Sequence, residues 1–141
     1  MDFLSTAFTL ILGLGLLVFL HELGHFVMAK LTGTKVEQFS IGFPPKLVGV
    51  KIGDTEYTIG AVPIGGFVKV AGMIQEASDV EISHAENNFT QKNTFQKSLI
   101  LLGGVLFNIL TAILIFTYFN LRDGDVKIMT TSIQTIPQNN P

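Results

Sequence analysis

The stretch Gly13–Leu31, GLGLLVFLHELGHFVMAKL, sets two histidines and a glutamate in an otherwise apolar run. Hydrocarbon is a costly medium for ionisable groups: each unpaired charge near the bilayer centre costs at least ~2.5–3.5 kcal/mol on insertion scales. The run is either a membrane-buried reaction centre or a soluble core helix with a polar patch. The flanking sequence favours the first. Phe3 to Leu20 carries no charge, and the helical pattern continues to Leu31. A second uncharged run, Ser98–Phe119 (SLILLGGVLFNILTAILIFTYF), lies further on. Each meets the roughly 20 apolar residues needed to cross a ~30 Å hydrocarbon core. The first run has no basic flank and no small-x-small cleavage pattern ahead of the histidines, so it reads as a retained membrane helix rather than a signal peptide.

Composition agrees. Of 141 residues, 48% are hydrophobic and 14% charged, against roughly 25% charged in ordinary soluble domains. A net charge of −2 gives no global basic field for nucleic acid, and the lack of cysteine excludes disulfides, thiolate catalysis and Cys-based zinc sites. Lys30, Lys35, Lys46, Lys51, Lys69, Lys92 and Lys97 all fall on or between the two apolar runs, whereas only Arg122 and Lys127 follow the second. By the positive-inside rule the connecting loop is cytoplasmic and both termini are extracytoplasmic. The expected organisation is a transmembrane helix over 1–31, a cytoplasmic β-containing loop over 32–96, a second transmembrane helix over 97–120, and an extracytoplasmic tail over 121–141.

Within the loop, two β-rich runs flank Gly53-Asp54, a hairpin turn. Pro63 and Gly65-Gly66 are expected to limit any regular strand after it, and Ile41–Lys46 (IGFPPK) reads as a rigid turn. From Ile74 to Thr94 the chain is polar and acidic, a solvated loop or short helix.

The chemistry sits in His21-Glu22-Leu23-Gly24-His25, an H-E-x-x-H motif. Residues four apart share a helix face, so both imidazoles can reach one metal ion. Glu22, about 100° round the helix, stands beside that ion's open position. Zn2+ suits two imidazoles, a third protein ligand and a water, whose pKa it lowers to about 7. Glu22 would take that water's proton and pass it to the leaving amine. With Lys30 snorkelling at the cytoplasmic boundary, the histidines lie roughly 7–14 Å inside it, and Asn108, counted from Lys97, about 16 Å in. Gly104 and Asn108 are therefore candidate supporting residues: a small residue where helices approach, and an amide able to clasp across the contact.

These segments, FLHELGHFVMAK, GFPPKLVGVKIGDTEYTIGAVPIGGFVKVAGM and LLGGVLFN in that order, resemble the site-2 protease family of intramembrane zinc metalloproteases, closest to its bacterial regulator-of-sigma-E-protease branch. The resemblance runs from about Phe3 to Phe119. It implies zinc ligands at His21 and His25, a catalytic base at Glu22, and a location in the bacterial inner membrane. It also implies a membrane-associated β hairpin around 50–70 that presents a strand edge to membrane-spanning protein substrates. The fold class is thus membrane α-helical, two transmembrane helices joined by a cytoplasmic loop containing a small β hairpin. The family takes its third zinc ligand from a later Leu-Asp-Gly motif, which is absent here. Asp123 and Asp125 follow the second helix on the far side, and His84 and Glu86 read as exposed loop residues. The chain is therefore expected to be the amino-terminal part of such a protease, with the missing carboxylate supplied from beyond Pro141 or from a partner chain. The alternative is a non-catalytic membrane scaffold that binds substrates through its β edge.

Overall fold

The computed structural model of the chain describes residues 2–73 and 87–123. In order, it contains α1 (Phe3–Leu31), β1 (Val36–Ile52), β2 (Thr55–Val70), a single 3-10 turn (Phe89–Gln91) and α2 (Thr94–Asp123). Neither helix contains a proline. α1 ends where the Thr32 hydroxyl donates to the Met28 and Ala29 carbonyls and Gly33 takes a φ of +65°. α2 begins on a reciprocal cap: the Gln96 backbone N–H donates to Asn93 Oδ1 at 2.8 Å, and the Asn93 N–H to Gln96 Oε1 at 3.3 Å. Both helices are long and apolar enough to cross a membrane, and only 6% and 17% of their apolar windows are buried. Core helices of soluble proteins are mostly buried, so these faces are built for lipid and the chain is a multi-pass membrane protein.

The strands pair across a turn at Gly53-Asp54, with Ile52 opposite Thr55, as the sequence implies. They then fold back on themselves. Residues Gln38–Ile41 have partners on both sides, Glu56–Ile59 on one and Gly66–Lys69 on the other. Among the described residues Val48–Ile52 pair only with Thr55–Ile59, and their outer edge has no strand partner. Two expectations need correction here. Ile41–Lys46 is not a turn between elements but a bend inside β1, and β2 runs on through Pro63 and Gly65-Gly66 to Val70. The bend is made by Gly42, at φ +85°, where a Cβ would sit 2.7 Å from the Val62 carbonyl oxygen. Gly66 continues the strand because it lacks the Cβ that would collide with the Ser40 carbonyl.

α1 is packed by the sheet and by α2. Against the sheet, Phe26 packs on Phe39 and Tyr57 with ring centroids 4.8 and 6.0 Å apart, and Phe19 on Phe39 at 6.0 Å. Nearer the amino terminus, a Cβ on Gly15 would stand 3.3 Å from Pro63 O and Gly65 N. The buried cluster Ala29, Val36, Val70 and Ile100 joins both helices to the sheet, with Phe26, Met28, Val68 and Phe89 around it. Lys30 does not simply snorkel: its ammonium donates to Thr55 Oγ1 at 2.7 Å and stands 5.8 Å from the Phe26 ring centroid. The buried Thr55 hydroxyl in turn donates to the Val36 carbonyl at 2.7 Å. Below this cluster, backbone bonds from Lys35 to Asn87, Ala71 to Lys35 and Phe89 to Ala71 tie residues 87–89 to the sheet's end.

The helix backbones come close at Gly24 and Gly103. A Cβ on Gly24 would fall on the Gly103 carbonyl, and one on Gly103 would stand 2.7 Å from the Gly24 carbonyl oxygen. Because both obstacles are backbone, no rotamer change relieves them. Gly24→Ala is expected to lower stability by about 1–3 kcal/mol or more, the range for overpacked sites. An earlier unfolding midpoint on titrating SDS into detergent-solubilised protein would register it.

Candidate metal centre

His21 and His25 lie on the face of α1 turned to α2. Their rings meet edge-on, 4.8 Å between centroids, with the two Nε2 atoms 3.1 Å apart. His25 Nδ1 is 2.7 Å from the Ile100 carbonyl oxygen on α2. A carbonyl only accepts, so Nδ1 carries the proton and a neutral His25 offers its Nε2 lone pair. His21 Nδ1 is 3.4 Å from Asn108 Nδ2, and the Asn108 Oδ1 is buried without a hydrogen-bond partner. Asn108 thus reaches across the helix contact, and the group it meets is one of the two motif histidines.

Gly104 contributes space. A Cβ there would stand 2.6 Å from His21 Nε2 and 2.6 Å from His25 Nε2. Its absence leaves a cradle that both Nε2 atoms border. Imidazole nitrogens about 2.0–2.1 Å from a tetrahedral ion are about 3.3–3.4 Å apart, close to the 3.1 Å observed. The nitrogen spacing, the fixed tautomer of His25 and the open cradle together fit two ligands of a zinc ion.

A third ligand is not at hand. Among the described residues no group of three or more His, Asp or Glu side chains converges. The end of α2 at Asp123 is about 28 Å along the helix from Gly104 at 1.5 Å per residue, and Asp125, His84 and Glu86 lie outside the described residues. Glu22 is half-buried and has no hydrogen-bond or ion-pair partner among the described residues. Its carboxylate is thus uncommitted.

Sequence reasoning singled out Gly104 for helix approach. The structure gives that role to Gly24 and Gly103 and uses Gly104 to make room for the imidazoles. The missed member is Ile100, whose side chain is core and whose carbonyl orients His25. The Gly103-Gly104 doublet was the available signal for both, since it opens the α2 backbone to the facing helix.

The sequence model of peptidase family M50 matches residues 9–138. A protein of Helicobacter pylori strain J99 named "Putative zinc metalloprotease" is 42% identical over 130 residues, which are 92% of this chain and 37% of that protein. Proteins of the same printed description from Clostridium acetobutylicum and Chlamydia pneumoniae are 37% and 41% identical, covering 93% and 82% of this chain and 36% and 20% of their own lengths. The chain therefore spans little more than a third of the length of the Helicobacter and Clostridium acetobutylicum relatives. With the family match covering the sheet, the histidine pair and nearly all of both helices, this chain belongs to peptidase family M50.

Proposed function

We propose that this chain is the zinc-holding, base-supplying part of an endopeptidase that cuts membrane-spanning proteins in regulated intramembrane proteolysis. The observation that carries the reading is the facing pair of Nε2 atoms, 3.1 Å apart beside the Gly104 cradle. His21 and His25 hold the ion, and a carboxylate from a carboxy-terminal part of the protein completes its ligand set. When bound, zinc supplies Lewis acidity and brings the pKa of a water ligand to about 7. Glu22, without a partner among the described residues, would serve as the base, its carboxylate able to hold a proton and deliver it to the leaving amine nitrogen. The Ile100 carbonyl keeps His25 in the ligating tautomer throughout.

Substrate seating falls to the sheet. Among the described residues the outer edge of Val48–Ile52 has no strand partner, and Leu47, Val48, Val50 and Ile52 along it are exposed. A substrate helix must be extended before its peptide bonds can be reached, and edge pairing stabilises that extended form. Lysine placement supports a sheet on the cytoplasmic side with both ends of the segment outside, and the resemblance supports the bacterial inner membrane.

The test is the zinc content of the purified 1–141 chain by elemental analysis, beside His21→Ala. The expected result is bound metal in the parent that is lost in the variant. Equal zinc in both would end the metal assignment. Cleavage of a membrane substrate by the complete protein then separates the protease from a scaffold that binds through its β edge.

A further inference from the structure

With both imidazoles neutral and the Asn108 amide as placed, the contacts around them admit one arrangement of protons. Ile100 O accepts from His25 Nδ1, so neutral His25 Nε2 is an acceptor. The 3.1 Å contact between the Nε2 atoms then needs its proton on His21. That leaves His21 Nδ1 as the acceptor for Asn108 Nδ2 at 3.4 Å. Donation therefore runs one way, from Asn108 through His21 and His25 to Ile100. In this arrangement His21 Nε2 carries hydrogen and cannot ligate, while Asn108 Oδ1 stays buried and unpaired.

Resting on the zinc assignment above, we infer that Asn108 is a positioning residue whose amide turns over when metal enters. Ligation through His21 Nε2 requires the proton at Nδ1 instead. An Nδ1–H facing the Asn108 NH2 would set donor against donor. Rotating the amide by half a turn brings Oδ1 to Nδ1 and makes the bond a metal-ligating imidazole needs behind it. The swap is nearly isosteric, so the packed helix contact need not move. His25 needs no such adjustment, because Ile100 O already holds it in the ligating form. The two ligands are thus unequal: one is set in advance, and the other is set by a reversible amide.

The experiment uses the 1–141 chain in lipid nanodiscs with 15N-labelled histidine, followed by NMR as Zn2+ is added. Without metal, the His21 proton is expected on Nε2 and the His25 proton on Nδ1. With Zn2+, the His21 proton is expected on Nδ1. Asn108→Leu should weaken zinc binding about 10–100-fold. Asn108→Asp, which presents an oxygen to His21 in either orientation, should restore it. An amide that only holds the helices together would shift the unfolding midpoint of both variants and leave the tautomers and zinc affinity unchanged. Zinc binding with the His21 proton unmoved would overturn the inference while the metal site stood. No zinc binding by the parent chain would overturn both.

Discussion

Gly104→Ala is expected to abolish zinc binding while the chain still inserts and folds. The added methyl would stand 2.6 Å from both Nε2 atoms, inside the space the ion must occupy. The obstacles are the ligands themselves, so relief requires turning both imidazoles away. For His25 that means breaking its 2.7 Å bond to Ile100 O, and for His21 its contact with Asn108. Alanine is also a better helix former than glycine, by about 0.8–1.0 kcal/mol, so α2 itself should be no weaker. The signature is therefore metal loss without a matching loss of stability. Elemental analysis and SDS unfolding of the same preparation check it. A Gly104→Ala chain with parental zinc would show that the ion does not sit against this face of α2.

Glu22→Gln in the complete protein is expected to lower substrate cleavage about 10²–10⁴-fold, the usual contribution of a general base. Zinc content should be unchanged, because Glu22 does not converge with the histidines as a ligand. Glutamine keeps the size and loses only the ability to take a proton. The pairing of full zinc with lost cleavage separates a base from a structural glutamate, whose replacement would disturb binding or folding as well. Residual cleavage near the parental rate would move the base elsewhere.

Much of this arrangement is legible in the sequence because it follows local periodicity. The four-residue spacing of His21 and His25 fixes a shared helix face, two uncharged runs fix two spanning helices, and Gly53-Asp54 marks the turn between strands. What is not legible depends on partners distant in the chain. The passage of β2 through Pro63, Gly65 and Gly66 exists because residues Gln38–Ile41 provide a second edge to pair with. Local propensity weighs only the defects of those residues as strand formers. Ile100 escapes notice because its contribution is a carbonyl that every residue has. Lys30 reads as a boundary marker until Thr55, far along the chain, supplies a partner.

The sheet's grip on α1 brackets the histidines: Phe19 and Phe26 touch it on either side of His21–His25 within the same unbroken helix. A substrate strand laid on the hairpin would therefore be measured against the site by a stiff ruler rather than a hinge. Where the cut falls would depend on how many extended residues separate the seated strand from the ion, more than on which side chains flank the bond. Under the proposed function, selection of this kind would tolerate varied sequences and would discriminate by how readily a membrane helix lets go of its own backbone.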